Sequence, residues 1–455
     1  MMLRILGIVA AGAVVSTAAS LRHVRPTNAN QAQTAALDVA ALLMAARGTA
    51  PIVCSLAARS VRGGNWGNGV DAPVTPLGAT SDRDRDMGRD ALPAADVNRL
   101  MDALASDDAC VRELSIRLIG DQESATVAPA LLTRLTATDA AMRAVAAFGL
   151  GLVHAQTAVD QLIHALHDAT PPVRANSAWA LGRIEDGRAV APLLEVFRDD
   201  APMVREAAVI ATGRLDSTSS IAALVHTLQR DDVASVRRAA AWALGQISAP
   251  SGANALAAAL TNDADARVRE MSAWALGNSD GDVGATALQI ALRKDADDAV
   301  RESAAWALGQ KGDASAVDAL ASAAEGDRSP RVRSTAAWAI GQVGDGGRRA
   351  VSSLTHLLRD DSNDARLKAA WALGQIGDSA ALPSIRDALS LEKNSDVRRA
   401  LIRALTKSGG NTSQIMTELI DSKDPQVREA AVRSLAGGEG PNPWPWPWPR
   451  PRPWP

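Results

Sequence analysis

The sequence predicts an all-α fold, a right-handed α–α superhelix of about eleven two-helix repeats. Three observations support this: an arginine recurs every 30 to 33 residues, a capping residue precedes nearly every one, and an alanine-rich helical segment follows it. A step this uniform indicates a tandem array. The recurring arginines are Arg112, Arg143, Arg174, Arg205, Arg237, Arg269, Arg301, Arg333, Arg366, Arg398 and Arg428.

Each unit divides into two helical halves. In one unit an apolar segment at 189–197 leads into an Asp-rich turn, and a second apolar segment starts at Val204. Helix, turn and helix at a period near 32 residues form the unit of an α-solenoid. We therefore expect the repeat array to occupy residues 95–437.

The start of each second helix is marked by a capping position, three residues before the Val of the Val-Arg pair. Side chains of Asp, Asn, Ser and Thr there accept hydrogen bonds from the open amides of a helix start. Ala201 and Val233 are the exceptions, and proline follows the cap in four units, where the first helical turn tolerates it. The nine expected caps are Asp108, Asp139, Thr170, Asp265, Asp297, Ser329, Ser362, Asn394 and Asp424.

The N-terminal segment 1–29 has the form of a secretory signal peptide. One positive charge at Arg4 precedes an apolar run at 5–19, and small residues at 17–19 and 27–29 offer cleavage sites. The run is short for a transmembrane helix, although an uncleaved anchor stays open. This segment predicts an exported protein, periplasmic or associated with the cell envelope of a bacterium.

Between this segment and the repeats, the sequence predicts a short helical hairpin at 36–61 and a flexible linker at 62–94. The linker is rich in Gly and contains an alternating run of Asp and Arg, which cannot bury a core. Cys54 and Cys110 are the two cysteines of the chain. They can form at most one disulfide, and two unpaired thiols are the alternative.

The tail, residues 438–455, ends in a segment with proline at every second position from Pro441. Neither a helix nor a central strand can form there, so we expect a disordered or polyproline II segment. Exposed indoles and guanidinium groups on a stiff chain suit recognition, including self-association. The candidate recognition residues are Trp444, Trp446, Trp448, Arg450, Arg452 and Trp454.

Charge and motifs exclude several functions. The chain has 48 Lys and Arg against 51 Asp and Glu, a net charge of −3, which argues against nucleic-acid binding. Only His164 and His167 among the histidines can share a helix face, and no further metal ligands surround them. There is neither a phosphate-binding Gly-rich loop nor a nucleophile elbow. The sequence therefore predicts no catalytic, cofactor or metal site.

A helical wheel separates two sides of the second helix when the recurring Val is position 0. Positions 0, 4, 7, 8 and 11 lie within about 80° and predict the core stripe. Position 6, often Trp, lies near about 240°, and position 10, often Gln, lies near about 280°. The sequence therefore places the tryptophans outside the central core.

The segment 236–247, with the sequence VRRAAAWALGQI, resembles the short HEAT-like repeats called PBS-lyase HEAT-like repeats, and the similarity covers residues 96–437. This family includes bilin lyases, hydroxylases and scaffolds, so the resemblance indicates fold more than function. Its iron-binding members carry His-Glu pairs, which are absent here. The resemblance implies that the second helices line a concave surface.

On that surface we expect a groove lined by indoles and amides. Such a groove indicates a non-catalytic scaffold that binds a protein or a Pro-rich peptide. The alternatives are a regulatory or lyase-like protein acting on an enzyme or chromoprotein, and binding to envelope glycans or to a membrane surface. The candidate residues are Trp179, Trp242, Trp274, Trp306, Trp338, Trp371, Gln246, Gln310, Gln342 and Gln375.

The recurring Trp and the recurring Arg also have a structural interpretation. Each Trp could pack against the next repeat and close the gap between second helices. Each Arg that follows Val is expected to pair with turn aspartates between repeats rather than to bind an anion.

Overall fold

A computed structural model shows helices and short 3-10 turns throughout the described part of the chain, without a strand. The signal segment, the second half of the hairpin, residues 62–91 of the linker and the tail lie outside that part, whereas Ala94, the last predicted linker residue, starts a helix. The described residues are 38–48, 92–248, 250–279, 283–408, 417, 419–423 and 425–435.

The helices alternate between a first and a second helix of each repeat, and we number the repeats from the N terminus. The first helices of repeats 1 to 10 are Ala94–Ala103, Ser124–Leu135, Val159–Ala165, Val190–Glu195, Ile221–Arg230, Pro250–Asn262, Ala285–Lys294, Val317–Gly326, Val351–Leu357 and Leu382–Leu391. The second helices of repeats 1 to 11 are Ala109–Ile119, Ala140–Leu152, Pro171–Ile184, Pro202–Arg214, Ala234–Ile247, Ala266–Asn278, Asp298–Lys311, Pro330–Val343, Asn363–Ile376, Ser395–Lys407 and Pro425–Leu435.

The second helices start where the caps predict. Thr170 and Ser329 occupy the cap position, but their side chains accept no hydrogen bond from the helix amides; each precedes a proline, which leaves one amide fewer to satisfy. Asp424 lies outside the described residues. The cap side chains that accept backbone N–H groups are Asp108, Asp139, Asp265, Asp297, Ser362 and Asn394.

Each second helix packs against its own first helix and against the second helices of both neighbouring repeats. The predicted core stripe is buried: Val236, Ala240 and Leu244 of repeat 5 are at most 1% exposed. Burial of this stripe against the first helix supplies the apolar stabilisation of each repeat, and the next repeat covers its flank. The α-solenoid prediction is confirmed.

The N-terminal end of the array is covered by the helix Val39–Ala46, which packs against the first two helices of the array. Val39, Leu43 and Ala46 are buried there, and the Gly48 amide donates to Asp108 Oδ2 at 2.7 Å. Cys110, in the second helix of repeat 1, is disulfide-bonded. The predicted partner Cys54 lies outside the described residues.

Candidate partner-binding face

Each tryptophan of the repeats packs against a glycine of the preceding second helix. A Cβ built on Gly309 would lie 2.8 Å from Trp338 Cζ3 and 2.8 Å from the Ala339 Cα. Glycine is required because a side chain would separate the two helices. We call these pairs the Gly–Trp steps, and they are Gly151–Trp179, Gly213–Trp242, Gly245–Trp274, Gly277–Trp306, Gly309–Trp338 and Gly341–Trp371.

The expectation that the tryptophans lie outside the core is wrong for four of them. Trp242 and Trp338 are 2% exposed, Trp274 is 5% exposed and Trp306 is 7% exposed. Trp179 and Trp371 are half-buried. The neighbouring repeat, which a single-helix wheel omits, covers the sector near about 240°. The indoles mainly close the gap between second helices, as the structural interpretation predicts.

The N-terminal tryptophan, Trp179, also takes part in an aromatic stack. Its ring lies 4.5 Å from the ring of Phe148 with an interplanar angle of 21°. The Arg183 guanidinium lies 5.5 Å from the Trp179 ring centroid, at cation–π distance. Arg183 Nη2 also lies 3.1 Å from His154 Nε2, which must accept this bond because a guanidinium only donates. This part of the face is therefore filled by its own side chains.

A row of exposed amides follows the Gly–Trp steps along the second helices. The amides occupy position 10, one helical turn beyond the indoles, and each belongs to a different repeat. Asn278 also belongs to this row, although it was not predicted from the sequence. The signal for it was its position, which is the same in its helix as that of the glutamines in theirs. We call the set the amide row: Gln246, Asn278, Gln310, Gln342 and Gln375.

Arginines join consecutive repeats at the turns. Arg301 donates from Nε to Asp327 Oδ2 at 2.7 Å and from Nη2 to Asp327 Oδ1 at 2.9 Å. Its Nη1 donates to the Asp295 carbonyl at 3.0 Å in its own repeat. The predicted pairing with turn residues is confirmed for eight of the eleven repeat arginines. The rungs of this arginine ladder are Arg143–Asp168, Arg174–Asp199, Arg205–Asp231, Arg237–Asp263, Arg269–Asp295, Arg301–Asp327, Arg333–Asp360 and Arg366–Glu392.

Seven of the eight carboxyl groups in the arginine ladder have a pKa below the ordinary value. The hydrogen bond from Arg143 lowers the pKa of Asp168, against the upward effect of burial. At Asp231 burial is the strongest influence and acts upward, but the Arg205 bond and the Val233 amide bring the pKa below its ordinary value. These guanidinium groups are fully engaged within the array, so they do not form an anion site.

A second set of charges, absent from the sequence prediction, occupies position 2 of four consecutive second helices. The sequence signal for this set was the recurrence of charged residues at the same helical position. Glu206 Oε2 accepts from Ser235 Oγ at 2.8 Å, and Glu302, 7% exposed, lies 3.4 Å from the Arg331 Nε. We call the set the charge stripe: Glu206, Arg238, Glu270 and Glu302.

Glu270 is the least compensated member of the charge stripe. Its Oε1 is buried, without a hydrogen-bond partner in the described part of the chain. Burial, followed by the charges of Asp297 and Glu302, raises the pKa of Glu270 to about 8, and Arg238 and Arg331 act in the opposite direction. At neutral pH this carboxyl is therefore mostly protonated.

No metal site is visible among the residues that the structure describes. They include no group of three or more His, Cys, Asp or Glu side chains that could hold a metal ion. No described helix is long and apolar enough to cross a bilayer. The second helices offer a row of neutral hydrogen-bonding groups at position 10 and a stripe of partly compensated charges at position 2.

Three solved structures are similar to this chain at low identity. A chain of the Kap95–Nup1 complex is 15% identical, with 75% of this chain and 57% of that chain covered and a TM-score of 0.51. A chain from the structure of Kap95p with RanGDP is 15% identical, with 75% and 53% covered and a TM-score of 0.49. The chain thus spans little more than half of either. An engineered protein is 22% identical, with 75% and 98% covered and a TM-score of 0.39.

Sequence comparison identifies the family. No curated protein matches the chain at a significant level. The family model of HEAT repeats matches residues 128–212, 190–277, 285–366 and 356–436, which together make up more than half of the sequence. These segments coincide with the two-helix units, the arginine ladder and the Gly–Trp steps described above, and the chain belongs to the HEAT-repeat family.

Proposed function

We propose that this protein is a non-catalytic scaffold that binds an extended segment of a partner protein along the exposed face of its second helices. The amide row carries the proposal. Five consecutive repeats present one exposed amide each at the same helical position. An extended peptide has backbone groups at regular intervals, and side-chain amides can both donate to and accept from them.

The buried tryptophans have a different role in this proposal from the one expected from sequence. They fix the separation of the second helices through the Gly–Trp steps, and so fix the spacing of the amide row. A rigid row lowers the entropic cost of ordering the binding groups. Of the six indoles in the Gly–Trp steps, Trp179 and Trp371 are half-buried and the other four are buried.

We further propose that the protein acts outside the cytoplasm, in the periplasm or at the cell envelope. Two observations support this location. The segment 1–29 has the composition of an export signal. Cys110 is disulfide-bonded, and disulfides persist in oxidising compartments.

Affinity capture from the native cell envelope tests the scaffold proposal. The variant combines Gln310→Ala, Gln342→Ala and Gln375→Ala. We expect it to retain at least about tenfold less partner than the wild type, since each lost hydrogen bond weakens binding by about 1 kcal/mol. Its thermal unfolding should be nearly unchanged, because these side chains are exposed.

The matched control combines Gln161→Ala and Gln229→Ala, two exposed glutamines of first helices. It should capture the partner as the wild type does. Equal capture by the amide-row variant would remove the amide row as the binding element. Equal loss in both variants would indicate a general defect rather than a binding face.

A further inference from the structure

Once Glu270 ionises, the charged groups around it leave room for one more positive charge. Glu270, Glu302 and Asp297 are three carboxyl groups, and Arg238 and Arg331 are the guanidinium groups that oppose them. Arg331 is already placed against Glu302 at 3.4 Å. The buried Oε1 of Glu270 has no hydrogen-bond partner in the described part of the chain. Glu270 as a whole is half-buried, so an additional arginine can approach it from the exposed side and supply a compensating charge.

We propose that the chain's own C-terminal segment, residues 441–455, occupies the exposed face of the second helices and pairs Arg450 or Arg452 with Glu270. The tail then competes with the partner and keeps the scaffold self-occupied until the partner displaces it. This inference rests on the proposed function, because both ligands use the amide row.

The chemistry of the tail matches that face. Proline alternates with other residues from Pro441 to Pro455, so half of the positions lack a backbone N–H group, while every carbonyl is available to accept. The side-chain NH₂ groups of the amide row donate to such carbonyls. The four indoles of the tail provide rigid apolar surface, and its two arginines provide the charge that the Glu270 site lacks.

The length of the tail is sufficient to reach Glu270. Arg450 lies 15 residues beyond Leu435, the end of the last second helix. An extended proline-rich chain rises about 3.1 Å per residue and therefore spans roughly 45 Å over that stretch. Glu270 lies five repeats before Leu435, and packed helices are separated by about 8–10 Å, which places it roughly 40–50 Å away. Arg452, two residues further on, adds about 6 Å of reach.

Attachment in the same chain favours this occupant over the same peptide added from solution. A short tether gives an effective concentration in the millimolar range, so even a weak segment occupies the face most of the time. A free tail peptide should therefore bind poorly to the wild-type chain and well to a chain whose own tail has lost its charge.

The test uses a fluorescent peptide of residues 438–455 and the full chain carrying Arg450→Glu and Arg452→Glu. We expect the peptide to bind this variant at least about tenfold more tightly than the wild-type chain. Adding Glu270→Gln to the variant should weaken the peptide about tenfold, as loss of one charged pair does. Adding Glu325→Gln instead, at an exposed first-helix position, should leave binding unchanged.

Calorimetry in buffers of different ionisation enthalpy provides a second measurement. Glu270 is mostly protonated at pH 7 and must ionise to pair with arginine, so peptide binding should release up to about one proton. The Glu270→Gln chain should release none. Proton release that persists in that chain would overturn the assignment to Glu270.

Equal peptide binding to the wild-type and tail-variant chains, or no binding to either, would overturn the self-occupancy. Such an outcome leaves the scaffold proposal standing if the amide-row variant still loses its partner. A chain that captures its partner through the amide row but does not bind the tail peptide would therefore support the scaffold proposal and contradict the self-occupancy.

Discussion

The arginine ladder and the Gly–Trp steps both join neighbouring repeats, but they do so by different physics. The arginine ladder lies at the turns and consists of hydrogen-bonded ion pairs, such as Arg301 with Asp327, whose side chains are 6% and 8% exposed. The Gly–Trp steps lie near the middle of the helices, and Trp338 is 2% exposed. The arginine ladder depends on charge and therefore on pH, whereas the Gly–Trp steps depend on close packing.

This difference indicates that the two interfaces contribute differently to the assembly of the array. Ion pairs tolerate small changes of distance but demand both partners, because a lone buried charge is costly. A close-packed indole tolerates neither loss nor added volume. The turns can therefore set the order of the repeats, while the helices set their spacing.

The largest effect should follow removal of an indole from the centre of the array. Trp338→Ala leaves a cavity against Gly309 and should lower the free energy of unfolding by about 4 kcal/mol. Trp371→Ala, at a half-buried position, should cost clearly less. Urea denaturation of both variants measures the difference, and equal losses would contradict a shape-dependent interface.

A smaller loss should follow removal of one rung of the arginine ladder. Arg301→Ala leaves Asp327 in a buried position without its guanidinium and should cost about 3 kcal/mol in chemical unfolding. Arg188→Ala is the control, because Arg188 is 55% exposed and should contribute less than about 1 kcal/mol. Similar losses in the two variants would show that burial does not strengthen the rungs.

A still smaller loss should follow addition of one methyl group at a Gly–Trp step. Gly309→Ala places a Cβ 2.8 Å from the Ala339 backbone and should cost about 2 kcal/mol. Gly326→Ala is the matched control, because nothing lies within 4 Å of its Cβ. It should be neutral or slightly stabilising. Thermal melts that rank the two variants in reverse would contradict the requirement for glycine.

The smallest effect concerns pH, and it has opposite signs for the two sets of carboxyl groups. The pKa of Glu270 is raised from 4.5 to about 8 in the folded chain, so its stabilisation is complete below about pH 4.5 and falls until about pH 8. Glu270→Gln should therefore raise stability at pH 9 by about 1 kcal/mol and change little at pH 5. Melting temperatures that shift equally at both pH values would contradict this prediction.

The arginine ladder should respond to acid instead. The pKa of Asp168 is lowered below its ordinary 3.8, so its contribution is present above that pH and is lost as the pH falls through the folded value. Arg143→Gln should make the chain less dependent on pH below about pH 4.

The repeat period, the caps and the arginine ladder could be predicted from the sequence because they depend on local spacing. The position of the tryptophans could not, because a helical wheel represents one helix with one buried side. In this array a second helix such as Pro330–Val343 has three helical neighbours, and two of them cover the flanks of the wheel. The sequence allowed both a binding role and a packing role for the indoles, and only the packing of neighbouring repeats decides between them.

The candidate face was also predicted only in part. Gln246 and Gln310 are exposed as expected, whereas Asn278 was overlooked because a different residue type occupies the same position. The raised pKa of Glu270 depends first on burial and then on carboxyl groups contributed by the following repeat, and a single unit of sequence carries no sign of either.

The arginine ladder runs in one direction along the chain. Each guanidinium binds a carbonyl of its own repeat and a carboxylate of the next, so the donor side of every unit matches the acceptor side of every other unit. A duplicated unit inserted between two repeats would find both halves of its contacts already in place. Gene duplication could therefore lengthen this protein one repeat at a time without a new interface having to arise.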